Sequence, residues 1–161
     1  MANPQMIMFE EEFRKISHLI ERLNRDANAK VCYLVDKNGQ LIAGAGETTG
    51  IDATSLASLT AGNIAATGGL AKLLGEKEFS ILFHEGERDN LHISLIGQRV
   101  ILVVIFDGRS SLGLVRLRVK KVTQDLDAIF QALVQKSQSW QTSSSPFAEI
   151  TDADIENLFR D

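Results

Sequence analysis

The stretch DATSLASLTAGNIAATGGLAKLLGE, residues 52–76, predicts one long helix that carries no charge between Asp52 and Lys72. Asp52 suits the N-cap because its carboxylate can accept a hydrogen bond from a free backbone N–H of the first turn. Gly75 suits the other end because glycine tolerates the positive φ that follows many helices. Exposed helices usually carry Glu and Lys, so a helix this poor in charge needs a physical reason.

The two sides of this helix differ in residue size. At about 100° per residue, the larger apolar residues fall on one side, which predicts that this side packs on a sheet. That side holds Leu56, Leu59, Asn63, Ala66, Leu70 and Leu73. The opposite side holds Ala57, Ala61, Ala65 and Gly69, joined by Ser58, Gly62 and Gly68 and followed by Lys72. Each glycine inside a helix costs about 0.5–1 kcal/mol relative to alanine, and small residues let another backbone come close. We therefore expect the small-residue side to dock against another chain.

A helix without charge is also typical of burial within a domain or of a membrane span. Burial within its own domain stays open, although a single sheet covers only one side of a helix. A membrane span is disfavoured because such a span is almost wholly apolar. The polar residues of the segment are Thr54, Ser55, Ser58, Thr60, Asn63 and Thr67. Packing against another chain is the preferred interpretation.

The segments around this helix predict an α/β protein of the α+β kind. An amphipathic helix comes first, and two short β-rich runs joined at Asn38-Gly39 predict a hairpin. After the central helix come the runs FSILFHEG, LHISLIG and VILVVIFD, the last apolar throughout and therefore expected at the centre of the sheet. A long helix begins at Leu112, so the predicted order is α-β-β-α-β-β-β-α. The first helix has its apolar face at Phe9, Phe13, Ile16, Ile20 and Leu23, with Glu10, Glu11 and Glu12 in its first turn.

Length and charge limit the class of protein. The 161 residues suffice for one domain with a core, and 17 Lys and Arg against 21 Asp and Glu leave a net charge of −4. This balance gives no bulk attraction to nucleic acid or to an anionic membrane. The single Cys32 cannot form an intramolecular disulfide, and the N-terminus does not have the pattern of a signal peptide. We expect a cytoplasmic protein without a membrane span.

No stretch of the sequence predicts an active site. The run GAGETTG, residues 44–50, has the wrong glycine spacing for a dinucleotide-binding loop and is interpreted as a flexible connection. His84-Glu85 lacks the second histidine of a zinc-protease motif, and Cys32 lies in an apolar strand where a thiol is inert. We therefore expect no catalytic residue, cofactor site or metal site.

The C-terminal segment predicts a tail. Residues 137–147, SQSWQTSSSPF, are Ser-rich and favour a linker, which divides the chain into a domain at 1–138 and a tail at 139–161. Thr151 can cap a short acidic helix whose apolar face is Ile155, Leu158 and Phe159. This helix either folds back on the basic helix or orders in a partner's groove, which the reach of the linker favours. The basic run is Arg116, Arg118, Lys120 and Lys121, usually a solvated face.

The element order and four quoted strings resemble the roadblock (dynein light chain) family, and in particular its bacterial MglB-type members. The resemblance covers nearly the whole chain. The strings are SLASLTAGNIAATGGLAKLLGE, DANAKVCYLVDKNGQLI, VILVVIFDGRSSLGLVRLRVKK and SPFAEITDADIENLF. It implies a five-stranded antiparallel sheet with the second helix on one face and the first and last helices on the other.

The same resemblance implies a function. Proteins of this type form a homodimer whose sheets and second helices join into one platform for a single GTP-loaded Ras-like small GTPase of the MglA type. They act as GTPase-activating proteins, help to place the GTPase at a cell pole and so set motility polarity. They work without an arginine finger, by stabilising a rearranged switch region. Nucleotide and Mg²⁺ belong to the GTPase, so no cofactor is expected here.

The resemblance also assigns residues. It implies that the small-residue side of the central helix meets the GTPase or the other protomer, and that the tail docks on the GTPase and favours nucleotide exchange. The alternative is a scaffold that only binds and localises the GTPase or other proteins of a polarity complex. The implied residues are Ala57, Ala61, Ala65, Gly68, Gly69 and Lys72 on the helix, Arg14 and Lys15 as weaker contacts on the first helix, and Ile155, Leu158 and Phe159 in the tail.

Overall fold

The structure of the protein, a computed structural model, describes the backbone of residues 4–144 and the side chains of residues 10–138. The chain divides after Asp127 into two compact units. None of the helices in this described part is long and apolar enough to cross a bilayer. The elements are α1 (Pro4–Asp26), β1 (Val31–Asp36), β2 (Leu41–Gly46), α2 (Ala53–Leu73), β3 (Ile81–Glu85), β4 (Asn90–Ile96), β5 (Val100–Phe106) and α3 (Leu112–Ser144), with a short 3₁₀ turn at Thr48–Gly50 before α2.

The strands form one antiparallel sheet in the order β2-β1-β5-β4-β3. Strand β5 lies at the centre and is buried along its whole length, which confirms the expectation drawn from its unbroken apolar run. Strands β2 and β3 are the edges. The predicted element order and the α+β fold, with helices on both faces of the sheet, are confirmed.

The β1–β2 hairpin is closed by side-chain and backbone groups together. The Asp36 carboxylate accepts hydrogen bonds from the backbone N–H groups of Asn38 and Gln40, both at 2.9 Å. Gly39 has φ of +87°, where a side chain would be strained, whereas Asn38 keeps a negative φ. The turn predicted from Asn38-Gly39 therefore forms, and only its glycine uses the left-handed region.

The run at residues 44–50 is not a flexible connection in its first half, and this interpretation was wrong. Gly44 and Gly46 belong to β2 and pair with β1. A Cβ on Gly44 would lie 2.9 Å from the ring of Tyr33, its cross-strand neighbour. Gly46 has φ of +94°, and a Cβ there would overlap the carbonyl of Lys30. These glycines fit because a large aromatic ring and a backbone bend occupy the space beside them.

The side chains of each strand alternate between two packed faces. On one face, Tyr33, Ile93 and Val103 form a buried cluster that includes Ala57 of α2. On the other, α1 lies against β1 and β2, and the first half of α3 runs beside it. The buried residues of these two helices are Ile16, Ile20 and Leu23 in α1 and Val115, Val119, Val122 and Leu126 in α3.

Two predicted boundaries were wrong. Helix α1 begins at Pro4, so the Glu10–Glu12 run lies beyond the first turn, and Phe13 is 51% exposed rather than on the packed face. Helix α3 continues through Ser144, past the predicted start of the linker at Ser137. No glycine or proline interrupts residues 114–144, and Ser and Gln are tolerated in a helix. The division at residue 138 stays a prediction.

Candidate functional site

Helix α2 begins and ends as its sequence predicts. The Asp52 carboxylate accepts hydrogen bonds from the backbone N–H of Ser55 at 3.2 Å and from its hydroxyl at 2.7 Å. These bonds favour the charged carboxylate and lower the pKa of Asp52. At the other end Gly75 has φ of +76°. The helix therefore occupies the predicted stretch.

The rotation of α2 differs from the one predicted. Ala57 and Ala71 have no exposed surface, whereas Leu59 is 74% exposed, Leu70 58% and Leu73 83%. Most of the leucine side therefore faces outward, although its first member, Leu56, packs against the buried cluster, and the prediction that the whole side packs on the sheet was wrong. Because Ala57 is wholly buried within the protomer, its assignment as a contact with another chain was also wrong.

The reason is a close approach between α2 and the β1–β2 turn. A Cβ added to Gly39 would lie 3.2 Å from Cα of Ser58 and 3.6 Å from Cβ of Ala61. Only small side chains fit where two backbones come this close, and Ser58 and Ala61 lie at this point of α2. Part of the small-residue side therefore serves packing within the domain, the alternative that the sequence left open.

Five other members of that side line one groove. Ala61 and Gly68 are half-buried, whereas Ala65, Gly69 and Lys72 are exposed. All five line a concavity of about 430 Å³ along the helix. We call this the α2 groove. Its other lining residues include Lys37, Ile64, Lys77, Glu78, Phe79 and Leu95.

The glycines of α2 have no packing reason within the part of the protomer that the structure describes. A Cβ added to Gly62, Gly68 or Gly69 would meet nothing within 4 Å. Each of these glycines lowers helix stability by about 0.5–1 kcal/mol relative to alanine. Since nothing in the described chain requires the missing methyl groups, the shape that they leave is available to another molecule.

The opposite flank of α2 contacts the edge strand β3. The Asn63 side chain lies 3.3 Å from Nε2 of His84, and the Thr67 hydroxyl donates to the Asn63 carbonyl at 2.7 Å. The sequence placed Asn63 among the leucines on the side expected to pack on the sheet. In the structure it contacts the edge strand and is not a core residue. The Asn63–His84 contact joins the helix to β3, and the Thr67 bond lies within the helix, so α2 reaches both the hairpin and the far edge of the sheet.

The other predicted contacts are not in the α2 groove. Arg14 and Lys15 are exposed on α1, on the other face of the sheet, and Lys15 pairs with Glu11 at 3.8 Å. The tail residues Ile155, Leu158 and Phe159 lie outside the described residues.

Sequence reasoning missed Lys37, Lys77 and Phe79, which complete the groove from two loops. Lys37 comes from the hairpin turn, and the other two come from the connection between α2 and β3. Their only signal in the sequence is position: each lies in a turn that borders α2. Since the groove is lined by lysines and one glutamate but by no arginine, it presents shape and diffuse positive charge.

Arg109 and Cys32, two further groups capable of chemistry, are held by structural contacts. Arg109 donates to the Asp107 carboxylate at 3.0 Å and to Glu47 at 3.3 Å, and these partners raise its pKa. Burial raises the pKa of the Cys32 thiol to about 12, which confirms the buried, inert thiol predicted. Within residues 10–138 no group of His, Cys, Asp and Glu side chains could hold a metal ion.

Comparison with known proteins assigns the family. The Roadblock/LC7 domain model matches residues 15–106. No curated protein matches the chain. Among solved structures, MglB of Myxococcus xanthus is 64% identical, with a TM-score of 0.74 over 76% of this chain and 92% of that one. A gliding protein MglB of Thermus thermophilus is 34% identical, with a TM-score of 0.69 over 73% of this chain and 90% of that one.

A third structure, described as MglB with a tetrameric arrangement, is 33% identical, with a TM-score of 0.70 over 73% of this chain and 89% of that one. These matches confirm the resemblance drawn from the quoted strings. The chain belongs to the Roadblock/LC7 family and, within it, to the MglB type.

Proposed function

We propose that this protein is a GTPase-activating protein for a Ras-like small GTPase of the MglA type, which it binds in the GTP-loaded form as a homodimer. The observation that carries the proposal is the α2 groove, whose glycines serve no contact among the residues that the structure describes, on a chain of the MglB type. The expected setting is the cytoplasm, at a cell pole, in the control of polarity and motility.

The composition of the groove favours activation without an arginine finger. An arginine finger must protrude into the nucleotide site of the GTPase. The groove is lined by no arginine, and Ala65 and Gly69 at its exposed margin carry almost no side chain. A surface of this kind fits closely against a switch region and stabilises one conformation of it. The GTPase then supplies its own catalytic side chains, nucleotide and Mg²⁺.

The rotation of α2 separates two roles that the sequence left undivided. We assign Ala61, Ala65, Gly68, Gly69 and Lys72 to the GTPase and the outward leucines Leu59, Leu70 and Leu73 to the second protomer. Large exposed apolar side chains on one helix are typical of a surface buried in an assembly. The edge strand β3 lies beside the same helix, so the sheet can continue across the dimer from that edge.

Single-turnover GTP hydrolysis by the MglA-type GTPase of the same cell tests the proposal. The wild-type protein should accelerate hydrolysis, and Ala65→Arg should abolish the acceleration because the new side chain fills the groove. Ala132→Arg, the same change at an exposed alanine of α3, is the matched control and should activate as the wild type does.

Two results would contradict the proposal. Unchanged activation by Ala65→Arg would show that the GTPase does not use the α2 groove. Binding of the GTPase by the wild-type protein without faster hydrolysis would make the protein a scaffold that binds and localises its partner.

A further inference from the structure

A second groove lies on the opposite face of the sheet, between α3 and the strands β3 and β4. Its volume is about 530 Å³. We call it the α3 groove. The lining residues used below are Ile81 of β3, His92 and Ser94 of β4, and Arg116, Val119 and Lys120 of α3.

The floor of the α3 groove holds polar groups that the protein does not use. His92 has no exposed surface and Ser94 is 5% exposed, yet neither ring nitrogen of His92 nor the Ser94 hydroxyl has a hydrogen-bond partner within the described chain. Buried polar groups are nearly always partnered. Burial and the charge of Arg116 lower the pKa of His92, so its neutral ring offers one donor and one acceptor. The floor therefore has hydrogen-bonding capacity that the described chain does not use.

The rim of the α3 groove is positive. Arg116 and Lys120 are one helical turn apart on α3 and are exposed. Neither forms an ion pair with any residue in the part of the chain that the structure describes. On a protein with a net charge of −4, two unpaired cations beside one groove favour an acidic occupant.

The groove also offers apolar surface. Ile81 is 51% exposed at the edge strand, and Val119 is buried beneath the rim. A free phosphate or nucleotide would leave this surface uncovered, whereas a peptide with acidic and apolar side chains covers it and reaches the cations at the same time. The combination of cationic rim, apolar wall and unpartnered polar floor therefore favours a peptide.

We propose that the α3 groove binds an acidic, partly apolar peptide segment of another protein. Carboxylates of the segment pair with Arg116 and Lys120, and an apolar side chain covers Ile81. His92 and Ser94 point away from the sheet face that carries α2, because Ile93 between them packs in the α2 cluster. The protein can therefore hold a second partner while the α2 groove is occupied.

Selection from a displayed library of random peptides, with the full-length protein as bait, tests this inference. Selected peptides should be enriched in Asp and Glu next to an apolar residue. They should bind the double variant Arg116→Glu/Lys120→Glu at least about tenfold more weakly, since a charge-assisted hydrogen bond contributes at least that factor. Arg14→Glu/Lys15→Glu, the same charge reversal on α1, should bind them as the wild type does, and so should Ala65→Arg.

Five outcomes would overturn the inference. The selected peptides could lack acidic residues, or bind the Arg116→Glu/Lys120→Glu variant with unchanged affinity. A synthetic peptide with the sequence of residues 148–161 could displace them, which would assign the groove to the chain's own C-terminus. Vesicles of anionic lipid could bind the wild-type protein but not the same double variant, which would make the groove a membrane contact. A change in oligomeric state of that variant in sedimentation would assign the groove to a second copy of this chain.

Discussion

Helices α1 and α2 lie on opposite faces of one sheet, yet only α1 shows its packed face in its sequence. In α1, Ile16, Ile20 and Leu23 are at most 3% exposed, and the positions between them are mostly polar or charged. In α2, Ala57 is buried while Leu73 is 83% exposed. Periodicity identifies the packed face of a helix only when the other face is polar. Where both faces are apolar, as in α2, the smaller side chains lie where a neighbouring backbone comes close.

The largest expected effect belongs to the packed face of α1. Ile20→Ala removes a fully buried side chain and should lower the free energy of unfolding by about 2–5 kcal/mol. Because this face packs within the protomer, the loss should be the same at any protein concentration. Urea unfolding at two concentrations measures both quantities. A loss that depended on concentration would place α1 in the dimer contact and remove the contrast with α2.

The next effect concerns the outward leucines of α2. Leu73→Glu should weaken dimerisation by roughly 10- to 100-fold, because burying a leucine contributes about 1.5–3 kcal/mol. Sedimentation equilibrium gives the dissociation constant. Leu117→Glu, at a leucine of α3 that is 61% exposed, is the matched control and should leave that constant unchanged. An unchanged constant for Leu73→Glu would leave the exposed face of α2 without the assigned partner.

The fold was predictable from the sequence, and the division of its surfaces was not. Asn38-Gly39, the apolar β5 and the Asp52 cap each depend on neighbours in the chain, so local patterns suffice. The rotation of α2 depends on Gly39, about 20 residues away, and spacing within the helix carries no information on such a contact. Lys37 and Phe79 joined the α2 groove for the same reason, since loops bring them there.

A third prediction addresses the close approach itself. Ala57→Leu inserts a larger side chain into the buried cluster between α2 and the sheet, where the close approach of Gly39 to Ser58 and Ala61 leaves the helix no slack, and should lower the free energy of unfolding by about 1–3 kcal/mol. Ala132→Leu, at an exposed position of α3, should change it little. Chemical denaturation measures the free energy of unfolding of the two variants. Equal stability would mean that α2 moves away from the turn without loss, and the size argument for its rotation would fail.

The smallest effect separates the stability of α2 from its proposed use. Gly69→Ala adds a methyl group that meets nothing within 4 Å, so it should raise the free energy of unfolding by about 0.5–1 kcal/mol. The same methyl group enters the α2 groove and should reduce activation of the GTPase. Gly113→Ala, at an exposed glycine in the first turn of α3 with equally open space, should stabilise without changing GTP hydrolysis. If Gly69→Ala stabilised the protein and activated as well as the wild type, the glycine would have no role in docking. Reduced activation in the more stable variant would mean that the glycine is kept for the surface it leaves open, which is the property that distinguishes α2 from α1.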